Sequence, residues 1–311
     1  MRFDEILGIK YPIIQGAMAN ISTGKFAAEV ANAGGLGLIA GGALTAEELR
    51  KEIRICKEML TKDCPGKFGV NIMLLNPDAD NLAKVVIEEG VKYVTTGAGM
   101  PRQYMKAWKE AGIFVMPVVS GVTLAKVMSE LGADAIIAEG TESGGHVGEM
   151  TTMTLVVQIA EAIDIPVIAA GGIASGRQMA AAYALGACGV QIGTVLLATV
   201  ECPIHDNYKA AILKAKDNDT IVTGRINGSP VRNIKNNLTR EYLKKEKEGA
   251  NKKELEELTI GSLKRAVRDG DTQNGSLMAG QVCGQIKEIK TVAEVLSDMV
   301  NECNEVLANL K

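Results

Sequence analysis

The densest cluster of polar and flexible residues in this chain is Ala138-Glu-Gly-Thr-Glu-Ser-Gly-Gly-His146-Val-Gly148. It carries His146, one of only two histidines in 311 residues. A histidine on a Gly-Gly loop can approach a substrate and exchange a proton near neutral pH. Glu139, at the head of the cluster, can accept a hydrogen bond from a ligand N–H or hydroxyl, whereas Glu142 reads as a loop residue. The second histidine, His205, stands beside Pro203 and Asp206 and reads as a surface residue without a chemical role.

Two further stretches, Ala169-Ala-Gly-Gly-Ile173 and Gln191-Ile-Gly-Thr194, suit an anion. Glycines let backbone N–H groups approach a phosphate closely, and a following helix start adds positive potential. Gly171, Gly172 and Gly193 would form such a cradle and Thr194 would add a hydroxyl; tight turns alone would also select glycine. Gln15-Gly-Ala-Met-Ala-Asn20 and Ala40-Gly-Gly42 leave room for a flat ligand near the backbone. Asn71 lies within an apolar run, so its amide needs a partner, either a ligand or the backbone.

No serine or cysteine is presented as a nucleophile: Gly-x-Ser-x-Gly is absent, and two separated histidines offer no metal-ligand spacing. A phosphate cradle with so little acid-base machinery points to chemistry borne by a cofactor.

The elements that must position these residues are repeated. Eight short apolar runs begin at Tyr11, Leu36, Phe68, Tyr93, Phe114, Ala135, Pro166 and Gly189, each followed by an amphipathic segment of helical period. They alternate little, as parallel strands buried on both faces do. Gly34, Gly90, Gly112, Gly132 and Gly186 stand where helices should end, and Thr45 with Glu48 has the spacing of a capping box. Eight βα units without a dinucleotide fingerprint predict a closed (β/α)8 TIM barrel, an α/β fold whose site gathers at the C-terminal ends of the strands.

Residues 1–200 hold the eight units, 201–285 a long insertion after strand eight, and 286–311 a C-terminal helix closing on the barrel. The Lys- and Glu-rich stretch Arg240–Leu258 reads as a solvated helical excursion, and the turn-rich run from Thr223 to Arg232 as a mobile lid or cap.

Composition bounds the class. With 47% apolar and 23% charged residues the chain is globular, and 34 Lys+Arg against 37 Asp+Glu argue against a general nucleic-acid or anionic-membrane binder. No apolar run reaches the roughly 20 residues of a membrane span, and MRFDEILGIK places acids where a signal peptide would be basic, so a cytoplasmic location is expected. The six cysteines lack C-x-x-C spacing and fit a reducing compartment as packing residues.

Taken together, Pro12-Ile-Ile-Gln-Gly-Ala-Met, Gly69-Val-Asn-Ile, Ala138-Glu-Gly-x-Glu-Ser-Gly-Gly-His146, Ala170-Gly-Gly-Ile-Ala, Gln191-Ile-Gly-Thr194 and Leu277-Met-Ala-Gly-Gln281 resemble the flavin-dependent barrels of the nitronate monooxygenase and enoyl-acyl carrier protein reductase II group. The resemblance spans nearly the whole chain. It implies FMN with its phosphate on Gly171, Gly172, Gly193 and Thr194, and Ala17, Met18, Asn71 and Glu139 around the ring and ribityl chain. It also brings Gly144, Gly145 and Gln191 to the cofactor, with Met278, Gly280 and Gln281 returning from the insertion to line the site.

Within that group, nitronate-oxidising relatives typically carry glutamine in place of Glu139 and Glu-Ala-Gly-Gly-His in place of Glu-Ser-Gly-Gly-His, and Met278-Ala-Gly-Gln resembles the reductase pattern. The reductase is therefore the expected activity. NADH or NADPH would reduce FMN, hydride would pass to the β carbon of a trans-2-enoyl thioester, and His146 would donate or relay the α-carbon proton. The alternatives are a nitronate monooxygenase using O2 and, more remotely, a non-catalytic barrel binding a phosphate ligand. The expected partner is an acidic acyl carrier protein, for which Arg225, Arg232 and Lys235 are either a docking patch or a solvated basic loop with no partner, and the expected assembly is a homodimer.

Overall fold

The computed structural model describes residues 2–310. Eight parallel strands close into a barrel: β1 (Ile13–Gln15), β2 (Leu36–Ala40), β3 (Lys67–Met73), β4 (Tyr93–Gly97), β5 (Phe114–Val119), β6 (Ile136–Glu139), β8 (Val167–Ala170) and β9 (Gly189–Ile192). The (β/α)8 architecture expected from the apolar runs is thus observed. A two-residue strand, β7 (Gly145–His146), lies outside the barrel and pairs with the insertion. The five glycines expected to stop helices all have left-handed φ, and Thr45 and Glu48 form the reciprocal cap.

Closure comes from β9 pairing β1, with Ile14 opposite Gln191 and Gln15 opposite Ile192. The β1–β2 seam has a single register pair, Ile14 with Leu36. Gln15 repairs it with its side chain: Oε1 accepts the Leu38 N–H at 3.0 Å and Nε2 donates to Ser22 Oγ at 3.2 Å. Ser22 Oγ also accepts the Met18 N–H at 3.0 Å, which fixes the loop after β1. This pair had no signature in the sequence.

Inside the barrel, Ile14, Leu36, Leu38, Met116, Ile137 and Ile168 form one apolar cluster with Ala170. The helix Phe3–Leu7 plugs its lower end, where Phe3 is fully buried and its N–H donates to Cys188 O at 2.9 Å. The interior is filled below, and only the C-terminal ends of the strands open to polar residues.

After β9 and the short helix Thr194–Leu197 the chain leaves the barrel. The excursion comprises the helix Asp206–Lys214, an antiparallel hairpin β10 (Thr220–Thr223) and β11 (Val231–Ile234), and the helices Asn237–Lys247 and Lys252–Thr259. The Lys- and Glu-rich stretch therefore forms two helices, each with an asparagine cap. The final helix Val292–Asn309 packs on the helix Gly176–Ala184, with Glu302 Oε2 accepting the Gly176 N–H at 2.7 Å. No helix among the described residues is long and apolar enough to cross a membrane.

Candidate active site

Strand register decides which residues share the barrel mouth. Glu139 stands opposite Ala170, and Ala170 opposite Gln191, so Glu139 and Gln191 share the inward face at one level. Asn71 lies between Ala40 and Thr95 on the same face. Its Nδ2 donates to Thr95 Oγ1 at 2.9 Å. The partner is a neighbouring strand's hydroxyl, not the backbone, and it leaves Asn71 Oδ1 for another donor.

The Glu139 carboxyl has no hydrogen-bond partner among the described residues. It is only partly exposed, toward the mouth, and desolvation raises its pKa to about 7. Near neutral pH it is shared between an acid that can donate a hydrogen bond and a carboxylate that can only accept one.

The two glycine loops lie at the ends of adjacent strands. Gly171 and Gly172 follow β8 with φ of +88° and +73°. A Cβ on Gly171 would sit 2.7 Å from Gly140 O, so the left-handed turn and the close approach both demand glycine. Beyond β9, the space around Gly193 is open except for Met18 Sδ at 3.8 Å from a would-be Cβ. The N–H groups of Gly172, Ile173, Gly193 and Thr194 donate to no described residue, although Ile173 and Thr194 are buried. Buried backbone donors require partners, and four together on two converging loops suit the oxygens of a phosphate. Thr194 Oγ1 accepts the Gly280 N–H at 2.9 Å and keeps its own proton to donate.

The loop bearing His146 is hydrogen-bonded at several points along its length. Glu142 accepts the Thr152 N–H at 3.0 and 2.9 Å on its two carboxylate oxygens, and its backbone oxygen accepts the Gln281 N–H at 2.9 Å. In the three-stranded sheet β10–β11–β7, Gly145 pairs with Arg232 and His146 with Val231, and the Val147 N–H donates to Pro230 O at 3.1 Å. Antiparallel pairing thus joins the Gly-Gly loop and the turn-rich run into one small sheet, with two register pairs between them. Gly144 and Gly280 stand against one another's segments: a Cβ on Gly144 would meet Ala279 C at 2.7 Å, and one on Gly280 would meet Glu142 O at 2.6 Å. Their missing side chains serve chain-on-chain packing. The His146 imidazole is exposed on one side, yet the surrounding chain removes enough water to lower its pKa below the ordinary 6.5.

Met278–Gln281 reaches the cradle because three contacts bring it there. Tyr208 Oη, fully buried, donates to Met278 O at 2.9 Å; Met278 bridges Asn233 of β11; and Gly280 bonds Thr194. Ala17 and Met18 lie on the loop after β1, Ala17 packed on the interior cluster.

Of the expected docking cations, Arg232 is corrected: it is 6% exposed and faces inward, while Arg225 and Lys235 are exposed. Arg225 pairs with Glu149, and the Lys235 ammonium donates to Asn218 O. His205 caps the helix Asp206–Lys214, its Nδ1 accepting the Asn207 N–H at 3.1 Å. Glu142, Tyr208 and Arg232 were not readable as site-shaping residues from the sequence, since each works through contacts distant along the chain.

The chain is thus an α/β barrel with glycine loops and polar side chains gathered at the C-terminal ends of its strands. The chain belongs to the nitronate monooxygenase family, whose profile matches residues 1–302. It is 47% identical to the structure of FabK from Thermotoga maritima, covering 99% of this chain and 97% of that one, with a TM-score of 0.95. It is 31% identical to a (3aS,4S,5R,7aS)-5-hydroxy-7a-methyl-1-oxo-octahydro-1H-indene-4-carboxyl-CoA dehydrogenase of Mycobacterium tuberculosis, over 95% of this chain and 94% of the relative. To a probable nitronate monooxygenase of Staphylococcus saprophyticus it is also 31% identical, over 98% of each.

Proposed function

We propose that the protein is an FMN-dependent enoyl-acyl carrier protein reductase, which uses NADH or NADPH to saturate trans-2-enoyl thioesters in the last step of a fatty-acid elongation cycle. The observation that carries this reading is the whole-chain likeness to the Thermotoga maritima FabK, at 47% identity against 31% for the nitronate relative. A relative whose name includes a carboxyl-CoA gives independent support to a thioester substrate.

The residues fit FMN: four unpartnered N–H groups and the Thr194 hydroxyl would hold the phosphate, and Ala17, Met18, Asn71, Glu139 and Gln191 would surround the ring and ribityl chain. When bound, FMN supplies the hydride that reaches the β carbon of the enoyl thioester. The chain's own work is to orient and to exclude water, and Met278–Gln281, anchored by Tyr208 and Thr194, would narrow the mouth for that purpose. Negative charge develops on the thioester oxygen and the α carbon then takes a proton, for which an imidazole N–H of His146 is the donor or relay. An acidic carrier would meet the exposed Arg225 and Lys235.

Nitronate oxidation is the second reading, favoured by the family's name and the Staphylococcus relative. The test is spectral. Purified protein should be yellow, anaerobic NAD(P)H should bleach it, and crotonyl-CoA should restore the colour. Protein that stays colourless after incubation with FMN would overturn both readings; nitronate-dependent oxygen uptake, with no return of the colour on adding enoyl thioesters, would favour the second.

A further inference from the structure

Thioester reduction leaves Arg232 unexplained. It sits on β11 of the insertion, only 6% exposed, and its fork reaches back to the barrel. Nε and Nη2 both donate to Thr141 O, at 3.2 and 3.0 Å, and Nη1 donates to Thr220 Oγ1 at 3.1 Å. None of these acceptors is a carboxylate. Burial pushes the guanidinium pKa down and Arg225 adds to the effect, with Glu142 opposing. A buried cation held by neutral acceptors is a costly way to fill space, since an apolar side chain of similar size would pack there without the desolvation penalty.

What the fork grips gives the reason. Thr141 opens the loop that ends at His146, and the backbone of β11 pairs with the other end, Arg232 opposite Gly145 and Val231 opposite His146. One residue of the hairpin therefore holds both ends of the loop, the far end by its backbone and the near end by its side chain. The backbone ladder alone comprises two register pairs, too few to hold a strand in place unaided. Thr220, from β10, completes the bridge by orienting the fork.

We propose that Arg232 is a positioning residue: by bridging the β10–β11 hairpin to Thr141 O it fixes the Thr141–His146 loop, and so sets where the imidazole meets the substrate. The chemistry ascribed to His146 rests on the reductase reading; the mechanical bridge does not.

The test compares wild-type holoenzyme with Arg232→Lys, Arg232→Met and Thr220→Val. Lysine keeps the cation but loses the planar fork. Arg232→Lys should melt close to wild type and keep FMN. It should lose roughly tenfold in kcat for crotonyl-CoA with KM changed less than about twofold, the pattern of a lost transition-state alignment. Backbone amides of residues 141–147 should exchange about tenfold faster in the same variant. Thr220→Val should shift both readouts in the same direction by less, and it keeps the test alive if Arg232→Met fails to fold. Wild-type kcat together with unchanged exchange in Arg232→Lys would overturn the proposal. If the wild type does not reduce enoyl thioesters, the reductase reading fails and amide exchange alone decides the bridge: faster exchange supports it and unchanged exchange refutes it.

Discussion

Thr194 Oγ1 accepts the backbone N–H of Gly280 at 2.9 Å, tying the loop after the last barrel strand to a segment 86 residues further along the chain. One hydroxyl thus anchors the returning insertion and, on the FMN reading, would also complete the phosphate cradle. Thr194→Val keeps the shape and removes both roles. FMN titration of the apoprotein should show a dissociation constant raised about tenfold, in line with losing a hydrogen bond to a charged group. Thr194→Ser should stay near wild type, and unchanged affinity in Thr194→Val would remove the residue from the phosphate site.

Gly171 tests the cradle's backbone. A methyl there would lie 2.7 Å from Gly140 O on a residue with φ of +88°. Gly171→Ala should destabilise the fold by about 1–3 kcal/mol and weaken FMN retention. A wild-type melting temperature with full flavin content would show that the turn tolerates a side chain.

Glu139 supplies a pH dependence of stability. Its pKa is about 7 in the fold against an ordinary 4.5, so between these values the folded protein holds a proton that the unfolded chain has released. Stability therefore falls as pH rises through that window, and the penalty is fully present above about 7. In FMN-free protein, Glu139→Gln should be more stable than wild type at about pH 8, by something on the order of 1–3 kcal/mol, with the difference shrinking toward about pH 5. Denaturation curves that keep a constant offset across this range would contradict the buried-carboxyl account.

His146 supplies a pH dependence of rate. Partial desolvation lowers its pKa below 6.5, so the imidazolium form disappears at a lower pH than for a free histidine. If the imidazolium donates the proton, kcat/KM falls as pH rises, with a midpoint below 6.5. His146→Gln should cut kcat/KM by about 10²-fold or more and abolish that limb while FMN stays bound. A limb that persists in His146→Gln belongs to another group.

The barrel was legible because its signals are local. Strands such as Leu36–Ala40 and Gly189–Ile192 are buried apolar runs, and left-handed glycines such as Gly34 and Gly186 end the helices before them. Strand-end positions were legible for the same reason, which is how Asn71, Glu139 and Gln191 came to notice. Register was not: that Asn71 meets Thr95, and that Glu139 shares a level with Gln191, depends on how strands slide before they pair. Nor was β7, because two residues carry no periodicity and their partner Val231 lies in a distant insertion. Arg232 looked like a surface cation in a turn-rich run, and only its antiparallel neighbours bury it.

The central claim is thioester reduction, and steady-state turnover of FMN-loaded protein tests it most directly. NAD(P)H oxidation with crotonyl-CoA and longer enoyl thioesters should greatly exceed oxygen uptake with alkyl nitronates under the same conditions. Vigorous oxygen uptake with nitronates, and no NAD(P)H oxidation with any enoyl thioester, would contradict it.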